Sequence, residues 1–425
     1  MITRFTEIAD GVKLNYIETD KFKTNYVSFN FMAPLEKERA SLNTLLCSVL
    51  MRGTEKYPTQ SLINKRLQYL YSGEVATRND KSGEYQIFGL KANMLDNRYT
   101  ADTNVTDGMT DIICELIFRP YLENGVFAPS YVEGEKINLI DAIDAEINNK
   151  TRYSMQRLNE EMFRSEVFGI SKYGTKEQVK EITPEGLYKA YKYALERYKI
   201  EIYFVGKCDF EKVKEKFASY FKGIKRDVIP LKDADIVLSS KGVKEVVDIE
   251  AVNQGKLCLG FRTGCTLKDD NYHLLQLFSE VYGGSPTSKL FMNVREKMSL
   301  CYYCRSIISR RSGSMTVASG IEVKNKQIAE DEIIAQLDAI KRCEITDEEL
   351  ESAKKSLKNG YMQVYDSAES METWSMFRSI GTSGCSDPAE ECKKVDLASA
   401  EDIAKIASKM TLDTVYFLRG EEKND

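Results

Sequence analysis

Histidine limits the chemistry that this chain can do. The 425-residue sequence contains one histidine, His273. Imidazole is the usual general base near neutral pH and the usual nitrogen ligand of zinc. A zinc site with two imidazoles therefore cannot be built from this polypeptide alone, and a Ser/His/Asp or Cys/His triad would have to be centred on His273.

Thiols are the other reactive groups in the chain. Ten cysteines are scattered without the spacing of a disulfide framework, which is typical of reduced thiols in a cytoplasmic protein. One close pair, Cys301-Tyr-Tyr-Cys304, has the spacing of half a zinc knuckle or of a redox pair. No second pair follows at knuckle spacing, and the alternating Tyr/Ile run around the pair predicts a strand.

Composition narrows the class of protein. With 42% hydrophobic and 29% charged residues, the chain has the make-up of an ordinary soluble globular protein. Its 65 acidic and 60 basic side chains give a net charge of −5, so we expect neither nucleic-acid nor membrane binding. The N-terminus has no apolar signal region, and no apolar run approaches the roughly 18 residues of a membrane span. A cytoplasmic location is the expectation.

The elements that must position these groups form an internal repeat. A strand at Asn25–Phe31 is followed by a helix at Ala40–Met51, and the same pair recurs at Lys256–Phe261 and Asn271–Tyr282. Phe31 and Gly53 precede Phe261 and Gly283 by the same offset. The two halves therefore match position by position and not only in composition.

Two α+β domains account for this repeat, each a sheet with helices packed on one face, facing one another as a pseudo-dimer. We expect an N-terminal domain at 1–222, a linker at 223–236 and a C-terminal domain at 237–425. A long helical stretch is predicted at Val132–Met162. Another helix is predicted to open at Thr183-Pro184, an N-cap followed by proline at the first helical position.

The segment from Leu45 to Pro58 resembles the start of the M16, or pitrilysin and insulinase, metallopeptidase family. In that family an inverted H-x-x-E-H zinc motif precedes a short apolar stretch, a basic residue and Gly-Thr. Counting back from Gly53, the two histidines and the catalytic glutamate are replaced here by Thr44, Cys47 and Ser48. Hydroxyls are poor neutral ligands of Zn²⁺, and a lone thiolate supplies one ligand of the three that a catalytic site needs. We interpret the three as small residues that fill the space of a metal.

The third zinc ligand of the family is a glutamate on a later helix, seven residues after another acid. Glu135 matches the first acid, but Ala142 stands seven residues further on. Glu146 lies one turn beyond Ala142 and could approach the degenerate site only if the register slips; its alternative interpretation is a solvated helical glutamate. We therefore expect no metal and no catalytic residue in this chain.

The second half resembles the family more closely. The run from Gly283 to Tyr302 resembles the pattern G-G-x-x-S-x-L-F-x-x-[LV]-R-E-K-x-G-L-x-Y, with Ser299 in place of its last glycine. The resemblance implies that Arg295 and Tyr302 contact substrate, since a guanidinium can hold a peptide carbonyl and a phenol can donate to an oxyanion. The alternative is a surface arginine and a half-buried strand tyrosine.

The likeness covers nearly the whole chain and is strongest to the inactive, YmfF-like branch of the family. It implies LuxS/MPP-like domains and a heterodimer in which a zinc-bearing M16 homologue supplies the metal. This chain would then supply Arg295, Tyr302 and half of a chamber for a peptide or an unfolded polypeptide. No cofactor is expected in this chain, which should have no activity alone.

Two other functions stay open at this stage. A zinc-free peptide-binding or scaffold protein, acting as a homodimer, would show the same decay of the metal motif. A thiol enzyme would use Cys47 or another cysteine as nucleophile and His273 as base. By the repeat register, however, His273 corresponds to Thr44 on the equivalent helix of the other half.

Overall fold

In a computed structural model, residues 4–101, 103–380 and 386–421 are described, and they form two compact units. Unit 1 consists of the described residues within Met1–Asp144, Ile170–Asp233 and Val364–Ile380. Unit 2 consists of those within Ala145–Gly169, Ala234–Gln363 and Gly381–Asp425. Each half of the sequence therefore contributes one segment to the unit that the other half builds.

Strands and helices occur in short runs along the described chain. The strands are β1 (Arg4–Ala9), β2 (Val12–Glu18), β3 (Thr24–Pro34), β4 (Glu74–Ser82), β5 (Tyr85–Leu95), β6 (Leu122–Glu123), β7 (Val126–Phe127), β8 (Lys199–Gly206), β9 (Lys244–Ile249), β10 (Gly255–Arg262), β11 (Cys301–Ser309), β12 (Ser314–Ile321) and β13 (Thr411–Arg419). The α-helices are α1 (Ala40–Leu50), α2 (Gln60–Tyr69), α3 (Val105–Phe118), α4 (Pro129–Ala145), α5 (Lys150–Met162), α6 (Lys176–Glu181), α7 (Pro184–Arg197), α8 (Phe210–Phe221), α9 (Tyr272–Ser279), α10 (Lys326–Lys341), α11 (Asp347–Met362), α12 (Ala368–Ser379), α13 (Pro388–Asp396) and α14 (Ala400–Ala407). In the part of the chain that the structure describes, none of the helices combines the length and apolarity that crossing a bilayer requires.

The two main sheets share one topology. The order in unit 1 is β1-β2-β8-β3-β5-β4, and the order in unit 2 is β9-β13-β10-β12-β11. Each sheet is antiparallel except for one parallel pair, β2 with β8 and β9 with β13. The α+β class is confirmed, and the strand order of unit 2 matches that of unit 1 from β2 onward.

Strand β3 shows how the unit 1 sheet is covered on both faces. Val27, Phe29 and Phe31 pack into the large core formed with helices such as α1, α3, α7 and α8. The alternate residues Tyr26 and Met32 belong to a second apolar cluster, which contains residues of α12. Because successive strand residues point to opposite faces, α12 must cover the face that the helices of the first half leave open. The prediction that helices cover one face of each sheet therefore holds only for the helices that each half supplies to its own unit.

A buried ion pair fixes α12 on this face. Arg78 on β4 contacts Glu372 on α12 through both carboxylate oxygens, at 2.5 Å and 2.9 Å, and Glu372 has no solvent exposure. Ser28 donates to the same carboxylate at 2.7 Å, and Asn30 accepts from Arg78 at 2.9 Å. Burial by itself would lower the pKa of Arg78, but the Glu372 carboxylate raises it, so the guanidinium stays charged.

Unit 2 binds its exchanged segment in the same way. Arg262 on β10, whose side chain is 3% exposed, donates to both oxygens of Glu166 just beyond α5, at 2.7 Å and 3.1 Å. It also donates to Asp413 on β13 at 2.9 Å. Helix α5 lies close to the sheet because Gly260 has no side chain: a Cβ there would lie 2.8 Å from the sulfur of Met162.

The predicted helix at Val132–Met162 is wrong as a continuous element. Helix α4 ends at Ala145, a short 3₁₀ turn occupies Glu146–Asn148, and α5 begins at Lys150. Asn149 breaks the helix because its backbone leaves the helical region while its side chain accepts from the N–H of Arg152 at 3.0 Å. The break falls where the chain passes from unit 1 to unit 2.

Removal of the buried carboxylate tests the role of α12. Glu372→Ala removes the bidentate partner of the buried Arg78 and leaves the half-exposed Asp80, 3.4 Å from its Nε, as a weaker one, so we expect the free energy of unfolding of unit 1 to fall by about 3–5 kcal/mol. Trp374, the one tryptophan of the chain, lies on α12 and reports its release by fluorescence during urea titration. Glu369→Ala is the matched control, because its pair with Lys91 is partly exposed and is worth at most about 1 kcal/mol. Equal effects of the two substitutions would contradict this role.

Candidate functional site

The residue in the place of the first zinc ligand belongs to a polar network in unit 1. Thr44 lies on α1, and its hydroxyl is within hydrogen-bond distance of the carbonyls of Ala40 (2.9 Å) and Lys172 (2.6 Å). The same oxygen accepts from the side chains of Asn79 (2.8 Å) and Gln86 (3.2 Å). The lone pairs that a metal would need are therefore already used by amide donors.

The other two positions of the motif are no better suited to bind a metal. Cys47 faces the core and is 1% exposed, and burial raises the pKa of its thiol to about 12. It therefore stays protonated near neutral pH and is neither a ligand nor a nucleophile. Ser48 is half-buried on the same helix. His273, the base of the thiol-enzyme hypothesis, lies in unit 2 on α9, whereas Cys47 belongs to unit 1.

The three residues of the acid helix take separate positions. Glu135 on α4 forms an ion pair with Arg52 and accepts from Asn138 at 3.2 Å. Ala142 is exposed near the end of the same helix. Glu146 lies beyond the helix, in the 3₁₀ turn that belongs to unit 2.

A zinc ion, which the fold family implies, does not fit the residues present. Among residues 4–101, 103–380 and 386–421, no three His, Cys, Asp or Glu side chains form a group that could hold a metal. At the degenerate motif itself, the donors are a saturated hydroxyl, a protonated buried thiol and a serine. We therefore derive no chemistry through zinc in this chain.

Arg295 lies in unit 2 on a π-helical segment, Leu290–Lys297, that precedes β11. Its side chain is 38% exposed, stacks 4.4 Å from the ring centre of Phe291 and lies 3.4 Å from the carboxylate of Glu296. An exposed surface pair of this kind contributes little stability. The guanidinium is therefore held in orientation by Phe291 while its donors can reach a ligand.

Tyr302 is set apart from the rest of its strand by a β-bulge. The register of β11 against β12 shifts between Cys301 and Tyr303, so Tyr302 has no partner in the ladder. Its side chain is 82% exposed on an edge strand, which corrects the alternative interpretation of a half-buried tyrosine. Bulges often redirect one side chain away from the sheet, and this one points a phenol into solvent.

The chain turns into this bulge through a left-handed residue. Ser299 has φ +52°, in the region that glycine adopts without strain. The family pattern has glycine at this position, because the turn into β11 needs a positive φ. Serine keeps the turn here but strains the backbone.

Unit 2 also contains an open polar cleft beside α5. Its volume is about 840 Å³, and the first turn of α5 and the β9–β10 connection form its walls. Lys256 on its floor donates to Gln254 at 2.8 Å, and Thr151 lies 3.0 Å from the hydroxyl of Tyr303. Amide and ammonium groups of this kind can bind peptide carbonyls or carboxylates.

Sequence reasoning did not find the partners that occupy the degenerate motif. Asn79, Gln86 and Lys172 are far from α1 in sequence and carry no motif of their own. The one available signal is that two amide side chains lie within the strands β4 and β5.

Comparisons with known proteins place this architecture among M16 proteins. A profile described as "Peptidase M16 inactive domain" matches residues 181–357. The "Probable inactive metalloprotease YmfF" of Bacillus subtilis (strain 168) is 34% identical over 416 residues, which cover 97% of this chain and 96% of that protein. The "Uncharacterized zinc protease YmxG" of the same organism is 34% identical over 119 residues, 28% of this chain and 29% of that one.

Solved structures agree with this result. A conserved protein from Enterococcus faecalis V583 superimposes with a TM-score of 0.90 at 27% identity, covering all of both chains. A peptidase M16 inactive domain from Pseudomonas fluorescens superimposes with a TM-score of 0.78 at 13% identity, covering 99% of this chain and 98% of that one. The second similarity concerns the fold alone.

Substitution of Thr44 tests whether the degenerate motif now serves packing. Thr44→Val keeps the shape but removes the hydroxyl, so the amides of Asn79 and Gln86 lose a buried acceptor. We expect unfolding to become easier by about 1–3 kcal/mol, measured by urea denaturation. Thr44→Ser keeps the hydroxyl and should retain most of the stability; if Thr44→Ser were as destabilised as Thr44→Val, the network would not be the cause.

Relief of strain at Ser299 is a second test. Ser299→Gly should raise the thermal midpoint and stabilise unit 2 by about 0.5–1 kcal/mol, because glycine adopts a positive φ freely. Ser309→Gly, in the extended strand β11, is the control and should destabilise by a similar amount. A loss of stability at both positions would argue against strain at Ser299.

Proposed function

Because this chain belongs to the M16 peptidase family, we propose that it is a non-catalytic subunit of a peptide-processing enzyme. It pairs with a zinc-bearing M16 homologue and contributes Arg295 and Tyr302 to a common chamber for peptides. The partner supplies the metal and the general base. This chain supplies substrate contacts and one half of the enclosure.

The observation that carries the proposal is the contrast between the two sets of family positions. In unit 1, Thr44 and Cys47 are enclosed by hydrogen-bond partners and apolar core. In unit 2, Arg295 and Tyr302 keep their functional groups available, and a bulge points the tyrosine outward. The zinc-motif residues are replaced, whereas the side chains at the substrate-contact positions are exposed. This contrast favours a chain that binds a peptide but does not cleave it.

The two exposed groups suit a peptide near its scissile bond. The Arg295 guanidinium can donate charge-assisted hydrogen bonds to a substrate carbonyl and so fix its direction. The Tyr302 phenol can donate to the oxygen that becomes negative when the carbonyl is attacked. Both roles need donors and no metal, so they are compatible with the residues of this chain.

The substrate backbone is expected to bind as an added strand. The sheets end in the edge strands β4 and β11, and β11 carries Tyr302. Strand addition uses main-chain hydrogen bonds and therefore accepts many sequences. The size of the chamber, rather than a side-chain pocket, would then select substrates.

Two further observations support a partnership in the cytoplasm. Bacillus subtilis has both a protein named as a probable inactive metalloprotease and one named as a zinc protease, and this chain is similar to both. Nine cysteines of the described chain are free thiols, which suits a reducing compartment.

Reconstitution with a zinc-bearing homologue from the same genome tests the proposal. We expect the co-expressed pair to elute as one complex and to cleave an unfolded peptide. Arg295→Ala should lower kcat/KM by about 10- to 100-fold, the equivalent of one lost charge-assisted hydrogen bond. Arg342→Ala is the matched control, since Arg342 is an exposed cation just beyond α10 and outside β11, and should leave cleavage unchanged.

Two results would contradict the proposal. Stoichiometric zinc and peptide cleavage in the isolated chain would show that it is an enzyme by itself. A homodimer that persists in gel filtration and never associates with the homologue would favour the zinc-free scaffold instead.

A further inference from the structure

The bulge at Tyr302 has a second effect, on the two cysteines that flank it. In a regular strand, residues three apart point to opposite faces. Here Cys301 pairs with Ile321 and Cys304 pairs with Ser319, so their partners on β12 are two residues apart. The extra residue therefore turns Cys301 and Cys304 to the same face of the sheet, where the two thiols are neighbours.

The two thiols differ in exposure and in charge. Cys304 is 4% exposed, whereas Cys301 is half-buried. A hydrogen bond from the Cys304 thiol lowers the pKa of Cys301 to about 7 against the opposing effect of burial, and Ser319 and Arg295 lower it further. The same interaction raises the pKa of Cys304 well above its ordinary value. When the pair loses its first proton, the charge therefore lies on Cys301 and the remaining proton on Cys304.

At four other cysteines of the described chain, the thiol pKa is raised and not lowered. Burial raises the pKa of Cys208, Cys258 and Cys265 to about 12, and it also raises that of the partly exposed Cys392. Reactivity toward disulfides depends on the thiolate fraction and on access. Cys301 combines a lowered thiol pKa with partial exposure to solvent.

We propose that Cys301 is a thiol-modification site that exchanges with low-molecular-weight disulfides. The Cys301 thiolate attacks one sulfur of the disulfide, a new bond forms to Cys301, and the other half leaves as a thiolate. The incoming disulfide is the only oxidant that the step needs. Cys304 is buried and protonated, so it is a poor nucleophile for displacing the adduct. The mixed disulfide persists until an external thiol reduces it.

The location gives the modification a consequence, which rests on the proposed function. Cys301 precedes Tyr302 directly, and Arg295 is close enough to influence its charge. A glutathionyl adduct brings two carboxylates and considerable bulk to this surface. It would compete with a peptide for Arg295 and cover Tyr302, so modification would switch off substrate binding by this chain under oxidising conditions.

Site-resolved mass spectrometry of the full chain exposed to oxidised glutathione tests the proposal without any peptide. At pH 7 we expect Cys301 to gain the glutathionyl mass at least tenfold faster than Cys392. The rate at Cys301 should rise through a midpoint near pH 7. The titratable and charged groups that act on Cys301 are Cys304 on its own strand and Arg295 on the preceding segment, while β12 contributes the hydroxyl of Ser319.

Variants of the buried partner separate chemistry from packing. Cys304→Ala removes the donor and should slow modification of Cys301 about fivefold, and Cys304→Ser, which keeps a donor, should restore it. Equal rates at Cys301 and Cys392 in the wild-type chain would overturn the proposal, whether or not the variants fold. So would loss of two hydrogens within the 301–304 peptide in place of an adduct. Failure of the unmodified chain to bind peptide would count against the proposed function alone.

Discussion

One buried arginine in each sheet is the constraint on which the rest of the structure depends. Arg78 and Arg262 lie on strands, are nearly inaccessible to solvent and each require a carboxylate. Asp80 and Asp413 of their own halves lie near the Nε atoms, at 3.4 Å and 2.9 Å. The carboxylate that both terminal nitrogens of each arginine contact comes from the exchanged segment, and it is Glu372 or Glu166. An isolated charge in these positions would be strongly destabilising. Neither half of the chain can therefore complete its own unit.

Residues of unit 1 fill the degenerate metal site. Helix α4 ends at Ala145, and Glu146 follows in the 3₁₀ turn that belongs to unit 2. The space beside α1 in unit 1 is instead filled by the network of Thr44, Asn79, Gln86 and the Lys172 carbonyl. Loss of metal binding is thus part of the packing of unit 1, whereas the surface around Tyr302 in unit 2 stays open.

Local patterns in the sequence predict the elements well. The N-cap at Thr183 with Pro184 behind it is confirmed, because the Thr183 hydroxyl accepts from the N–H of Gly186 at 3.1 Å. The alternation of apolar and polar residues in β3 also predicts a strand. It does not predict which residues the polar side chains of that strand contact. Ser28 and Asn30 are buried against Glu372, more than 340 residues away. A period-two pattern records which face a residue is on, and it contains no information about what covers that face.

The candidate site shows the same division between local and distant information. Family spacing locates Arg295 and Tyr302, but a one-residue bulge decides that Tyr302 is exposed and that Cys301 and Cys304 share a face. The bulge depends on the register against β12, and no rule of spacing within β11 encodes it.

The exchanged helix α12 also sets the order in which the protein can mature on the ribosome. The strands of unit 1 are complete once residue 206 has been made, but the apolar face that receives Met371 and Met376 stays uncovered until translation passes residue 380. At an elongation speed of about 5–20 residues per second, this interval lasts roughly 10–30 s. During that time the nascent chain exposes an apolar sheet surface on which Arg78 lacks its Glu372 partner. The second half of the polypeptide must therefore be made before the sheet of the first half is covered.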